Sequence, residues 1–301
     1  MLFTDTTAEE KRRSFRDGLK SGRLLRFPGA YAPLVAMLIE ELRFEGVYVS
    51  GAALANDLGL PDIGLTTLTE VSQRARQIAR VTRLPAIVDV DTGFGEPMNC
   101  ARTVRELEDL GLAGCHLEDQ ENPKRCGHLD NKAVVPKSDM VRKVGAAVDG
   151  RRDPNFVVTA RTDARAVEGL NSAIERAQAY ADAGADMIFP EALRDEREFE
   201  ALRKAVDVPL LANMTEFGKS KLLSAETLEN LGYNVVIYPI TGQRLAMKAV
   251  EDGFKAMLED GHQRNIIDRM QTRARLYELV RYAEYASFDQ DVYGFGSTDR
   301  E

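Results

Sequence analysis

The apolar positions of this chain fall into eight short runs rich in Val, Ile and Leu, each followed by a longer stretch in which apolar residues recur at helical spacing. The runs cover residues 23–27, 46–50, 86–91, 114–119, 156–161, 187–191, 209–213 and 235–240. Amphipathic segments such as 101–110, 171–183 and 225–231 lie between them, one helix's length per strand. Eight strand-helix units predict an α/β fold, a (β/α)8 barrel of the TIM type, as a single domain over residues 1–301. Almost every run starts apolar and ends polar, at Ser50, Asp89 with Asp91, Glu118, Arg161, Glu191, Asn213 and, just past the last run, Thr241. The carboxyl ends of barrel strands open on one mouth, so these seven sites would meet around one cavity, whereas an open sheet would not gather them. Strands that merely end where water begins would explain one such residue, not the set.

Two segments fall outside the repeat. Residues 263–286 carry Ile266, Met270, Tyr277 and Val280 at helical spacing, which predicts one further helix covering either its own barrel or a neighbouring subunit. Residues 120–136 have no period and are long for a connection inside a compact barrel, which predicts a mobile lid over the mouth, with Gly127 as its hinge.

Composition narrows the partners. At 301 residues and 44% hydrophobic, the chain can bury one large core. A net charge of -8, from 40 basic and 48 acidic residues and with no long Lys or Arg run, excludes a nucleic-acid footprint and favours small molecules. Three cysteines, Cys100, Cys115 and Cys126, form no Cys-x-x-Cys pair and suit a reducing compartment. Charged residues through the first twenty positions, and no run of eighteen apolar residues, predict a soluble cytoplasmic protein that neither carries a signal peptide nor spans a membrane.

Candidate chemistry clusters at the predicted mouth. Cys126 stands among Lys124, Arg125 and His128, cations that favour thiolate over thiol and mark it as an acid or a nucleophile. In Ile-Val-Asp-Val-Asp (87–91), strand alternation would turn Asp89 and Asp91 to one face, and His116 and Glu118 repeat the spacing. Carboxylates crowded into a partly dry pocket call for a cation, and an all-oxygen set suits Mg2+ or Mn2+ better than zinc; arginines such as Arg161 are the alternative neutralisers. Arg161 offers a planar fork for a substrate carboxylate. Asn213, Thr215, Ser50 and the backbone of Gly51 and Ala52 add neutral hydrogen bonds, a set that fits a polyanion. Glu191 is a network member, a base or a partner of Arg161. Gly93-Phe94-Gly95 lacks the later glycine of a dinucleotide fingerprint, and no Walker A sequence is present.

Lys-Arg-Cys-Gly-His (124–128), Val-Asp-Val-Asp-Thr-Gly-Phe-Gly (88–95), His-Leu-Glu-Asp-Gln (116–120), Thr-Ala-Arg-Thr-Asp-Ala (159–164), Phe-Pro-Glu-Ala (189–192), Asn-Met-Thr-Glu-Phe-Gly (213–218) and Met-Gln-Thr-Arg (270–273) span nearly the whole chain. In that order the sequence resembles the isocitrate lyase and phosphoenolpyruvate mutase superfamily, and within it the lyases that act on 2-methylisocitrate. The resemblance implies a barrel whose last helix is exchanged between paired subunits of a tetramer, a dimer of dimers. It implies Mg2+ near Asp89, with Asp91 and Glu118 holding it largely through water. It also implies a di- or tricarboxylate substrate contacted by Ser50, Gly51, Ala52, Asp62, Arg161, Glu191, Asn213, Thr215 and Thr241, with Lys124, Arg125, Gly127 and His128 arriving on the lid.

The same resemblance makes Cys126 the acid, Tyr48 a base, and Phe189, Pro239 and Ile240 a methyl-accepting wall. The implied reaction is reversible cleavage of 2-methylisocitrate to pyruvate and succinate. Ala52-Ala53 departs from the more glycine-rich pattern of relatives and puts the backbone contact there in doubt. Rival activities are those of isocitrate lyase, which is longer through insertions this chain lacks, 2,3-dimethylmalate lyase and oxaloacetate hydrolase. A catalytically silent carboxylate-binding barrel is the reading from another class, and the intact Cys126 and both aspartates argue against it.

Overall fold

A computed structural model describes residues 4–127 and 132–293. It contains eight parallel strands: β1 (Leu25–Pro28), β2 (Val47–Val49), β3 (Ala86–Asp89), β4 (Gly114–Glu118), β5 (Val157–Thr162), β6 (Met187–Pro190), β7 (Leu211–Asn213) and β8 (Val235–Tyr238). Each lies inside or within a residue of its predicted run. β2 to β6 pair in sequence order as one five-stranded sheet, and β1, β8 and β7 form a second of three strands. Single parallel bridges, Gly29 to Tyr48 and Ile188 to Leu210, join the two sheets and close the barrel.

Strands covered on both faces need apolar residues on both, and two cores result. One lies between the strands and the outer helices, where Val88, Leu107, Ala177 and Leu202 pack. The other fills the barrel interior with Tyr48, Ile87, Val157, Met187, Phe189 and Ile237. The helix Ala8–Lys20, opened by a Thr7 and Glu10 capping box, pushes Phe15 and Leu19 into the amino-terminal end of that interior. The Phe15 and Phe27 rings lie 5.3 Å apart there. The bottom is thus plugged, and the carboxyl end remains as the mouth.

After β8 comes the helix Thr241–Asp260, stopped by Gly261 in the left-handed region at φ 72°. The single helix expected over 263–286 is not formed. That stretch divides into a 3-10 turn, Arg264–Arg269, and the helices Arg273–Leu279 and Tyr282–Tyr293. Thr272 caps a fresh start by accepting from Arg275 N at 3.1 Å, and Arg281 at φ 55° breaks the helical path again. Among the described residues, Thr241–Asp260 buries only Gln243 and Tyr282–Tyr293 buries none, although Leu245, Phe254, Leu258, Tyr282 and Val292 are large and apolar. No described helix is long and apolar enough to cross a membrane.

Candidate active site

Five strands end in or just before a polar group at the mouth: β3 in Asp89, β4 in Glu118, β5 around Arg161, β6 just before Glu191 and β7 in Asn213. Ser50 follows β2 and caps the helix Gly51–Asp57, its Oγ accepting from Ala53 N at 3.3 Å. Asp91 reaches the site by another route than the strand alternation expected of it. β3 stops at Asp89, and Asp91 turns back through a left-handed backbone at φ 50°, which places its Oδ1 2.7 Å from Lys124 Nζ. Lys124 also pairs with Asp62 at 2.5 Å. The two oxygens of Asp89 accept from Gly51 N at 3.2 Å and Asp91 N at 3.0 Å. Gly51 is required there, because a Cβ would stand 2.8 Å from Asp89 Oδ2.

The carboxylates are crowded and buried, and their proton affinities show it. Burial lifts Asp91 to about 6; Lys124 opposes the shift and Asp89 adds to it. Burial also lifts Glu118 well above the carboxylate range, against the pull of Arg161 and Lys124. Asp89 goes the other way: burial opposes ionisation, but His116, Lys124 and Arg161 outweigh it. Burial holds His116 itself down to about 4, so near neutrality the cations that keep Asp89 ionised are Lys124 and Arg161.

Arg161 lies at the centre of a second charge cluster. It meets Asp163 at 3.0 Å, Glu118 at 3.1 Å and Glu191 at 3.3 Å, over the Phe189 ring with its guanidinium carbon 5.0 Å from the centroid. Asn213 Nδ2 donates to Glu191 at 3.2 Å. Behind it, fully buried Asp119 accepts from Thr162 Oγ1, Asp163 N and Tyr180 OH, each at 2.8 Å. Asp119 and Asp163 were not picked out from sequence; Asp163, two residues past Arg161 in the same motif, was the available signal. Lys132, also missed, bonds Asp163 at 2.7 Å and the Gly127 carbonyl.

A cavity of about 50 Å³ opens among these groups. Tyr48, Ser50, Ala52, Asp62, Asp89, Lys124, Cys126, Gly127, Arg161, Glu191, Asn213, Thr215, Pro239 and Ile240 line it, so one cavity unites most of the predicted set. Several predicted residues take other places. Phe189 is no wall: the strand pleat turns it into the barrel interior, wholly buried beneath Arg161. Thr241 is turned to Glu216, to which its hydroxyl donates. Arg125 folds back onto the carbonyls of Pro123 and Lys124, while Gln120 clamps its backbone through two bonds of 2.8 Å. Gly51, Asp91 and Glu118 stand behind the lining, and His128 lies outside the described residues.

Two expected roles change with the geometry. Tyr48 OH is 2.8 Å from His116 Nε2. Burial and then the charge of Asp89 push its phenol well above the usual range, so it stays protonated and cannot act as a standing phenolate base. Gly127 is not at positive φ. It is needed for close approach, since a Cβ would come within 2.4 Å of Arg161 and 2.5 Å of Glu191.

The donor set fits a divalent cation without gripping one. Among the described residues, no three His, Cys, Asp or Glu side chains converge on a common metal position. Glu118 Oε1 is nonetheless buried without a hydrogen-bond partner, beside the buried carboxylates of Asp89 and Asp91. Hard oxygen donors of this kind suit Mg2+ or Mn2+.

A profile of the phosphoenolpyruvate phosphomutase family matches residues 15–258. A protein of Corynebacterium glutamicum named probable 2-methylisocitrate lyase 2 is 62% identical over 297 residues, 98% of this chain and 97% of its own. A solved oxaloacetate acetylhydrolase, in complex with 3,3-difluorooxalacetate, superposes with a TM-score of 0.89 at 33% identity, covering 95% of this chain and 98% of the other. A phosphonopyruvate hydrolase solved with oxalate and Mg++ gives 0.85 at 30% identity, over 94% and 99%.

Proposed function

The chain belongs to the phosphoenolpyruvate phosphomutase family, and from that premise we propose that it is a carbon-carbon lyase cleaving 2-methylisocitrate reversibly to pyruvate and succinate. One observation carries the reading: Cys126, Tyr48, Arg161 and Asp89 all line one cavity in a chain 62% identical, end to end, to a relative of that name. A rival activity shared with the oxaloacetate acetylhydrolase rests on a much lower identity of 33%.

Cleavage breaks one C–C bond. Its electron pair goes to the succinate carbon, the substrate hydroxyl loses its proton, and a keto group forms. Arg161 holds a substrate carboxylate with its planar fork while Asn213, Thr215 and Ser50 fix the remaining oxygens. Tyr48 OH, held 2.8 Å from neutral His116 Nε2, stays protonated and orients the substrate oxygen, and Glu191, which lines the same cavity, takes the hydroxyl proton. Cys126 delivers a proton to the succinate carbanion as general acid. Lys124 and Gly127 seat the loop over the cavity and keep water out. Asp89, with Asp91 and Glu118 acting through water, would hold Mg2+ or Mn2+, which when bound stabilises the negative charge developing on the keto-acid oxygens.

Several further properties belong to the same reading. Residues 120–136 act as a lid. The apolar faces of Thr241–Asp260 and of the helices after it are covered by a second copy in a homo-oligomer, a dimer of dimers with exchanged C-terminal helices. The enzyme works in the cytoplasm, where its three thiols remain reduced. A panel of 2-methylisocitrate, isocitrate, 2,3-dimethylmalate and oxaloacetate, with keto-acid release measured for each, tests the substrate. The expected result is kcat/KM for 2-methylisocitrate at least about tenfold above isocitrate, the amount one buried methyl supplies; equality or reversal overturns the assignment.

A further inference from the structure

Lys132 has no part in the chemistry set out above, yet it sits at the joint between the loop and the charge cluster beneath it. Its side chain is 1% exposed. Nζ donates to the Gly127 carbonyl and, at 2.7 Å, to Asp163 Oδ1, so one ammonium ties the loop to the barrel mouth. Asp163 is wholly buried and is the residue that holds Arg161, through Nε at 3.0 Å and NH2 at 3.2 Å. Lys132 and Arg161 NH2 therefore share one oxygen, Asp163 Oδ1. Gly127 meanwhile presses against the same Arg161, close enough that a methyl group would collide with it.

These contacts make the position of Arg161 depend on whether the loop is seated. With Lys132 in place, the charge of Asp163 is divided between two cations, and its hold on Arg161, which also meets Glu118 and Glu191, is the weaker for it. Without it, Asp163 has Arg161 as its sole ion-pair partner among the described residues and draws the guanidinium down towards itself. We propose that Lys132 is a positioning residue that latches the seated loop and, through Asp163, sets Arg161 for substrate.

Lys132→Met keeps the unbranched chain as far as its fourth atom and removes the charge and both bonds, while Lys132→Arg keeps a cation. In the free enzyme, the rate of Cys126 alkylation by iodoacetamide, followed by mass spectrometry, is expected to rise at least about tenfold in Lys132→Met and little in Lys132→Arg. Turnover of 2-methylisocitrate in Lys132→Met is expected to show a raised KM together with a kcat lowered on the order of 100-fold, the effect of a misplaced positioning group, with partial recovery in Lys132→Arg. Unchanged alkylation overturns the latch, even if turnover falls; normal KM and kcat overturn the link to Arg161. If Lys132→Met does not fold, Lys132→Gln carries the same readings. The turnover arm rests on the lyase reading and the alkylation arm does not, so a wild-type enzyme silent towards the whole panel would sink that reading and leave the latch to be decided by alkylation.

Discussion

Cys126 differs from the other two cysteines in surroundings more than in sequence. Cys100 and Cys115 are buried against apolar neighbours; burial pushes Cys100 up to about 11 and Cys115 higher still. Cys126 is half-buried at the cavity. Alkylation of the native enzyme should modify Cys126 alone, as peptide mass mapping will show, with the other two reacting only in denaturant. Cys126→Ser should fold and bind normally yet lose about 10²- to 10⁴-fold in kcat, the scale of a lost general acid; near-normal turnover would rule out the acid role. Gly127→Ala should be almost as damaging without lowering Tm, because its methyl group collides with Arg161 and Glu191 only when the loop is seated. A steady-state assay beside a melting curve checks both halves of that statement. The loop motif made Gly127 legible as special, but its close approach to Arg161 and Glu191 was not legible, since that depends on what lies opposite. Phe189 was misread for a related cause, since its place beneath Arg161 follows from the phase of a four-residue strand.

Elements were easier to read than contacts between them. All eight strands stand where apolar runs predicted them, because a strand covered on both faces must be apolar throughout, and a signal of that kind survives in a single sequence. The helix after β3 begins at Pro97, ahead of its predicted start, since proline suits the first turn whatever its polarity. The breaks at Thr272 and Arg281 were missed, as helical spacing alone does not register a cap or a left-handed residue. The plug helix Ala8–Lys20 gives a pH test. Lys11 on it is buried, donating to Ala79 O at 2.8 Å, and burial holds it down to about 8. Its unfolded value is about 10.4, so between these two the unfolded chain binds more protons and stability rises with pH; below about 8 both forms are charged and the penalty is fully present. Urea midpoints at pH 7.5 and 9.5 should show wild type gaining on Lys11→Met by about 2 kcal/mol across that interval. At the other end of the chain, Phe254 is 65% and Leu258 87% exposed. If the proposed homo-oligomer covers them, replacing both with Asp should leave monomers in light scattering where wild type is larger, while native-like circular dichroism persists; a wild type that is itself monomeric would remove the oligomer from the reading.

At the scale of the whole molecule, the polar strand ends pointed to one mouth and the structure gathers them there, whereas the Lys132 bond to Asp163 joins residues 31 positions apart along a loop path that no local pattern encodes. Chelation by EDTA should abolish turnover and Mg2+ or Mn2+ should restore it; full activity in chelator would remove the metal from the reading. The barrel itself is two sheets joined by single bridges, and the site is shared unequally between them. Asp89, Glu118, Arg161 and Glu191 stand at or beside the ends of strands in the five-stranded sheet, while Asn213, Thr215, Pro239 and Ile240 belong to the three-stranded one. One portion of the ring thus holds nearly all the charge and the other is neutral. Within the neutral arc Pro239 and Ile240 carry no ionic bond, so change at those two positions would alter the shape offered to a substrate while leaving the charged arc, and the Asn213 bond to Glu191, as they are.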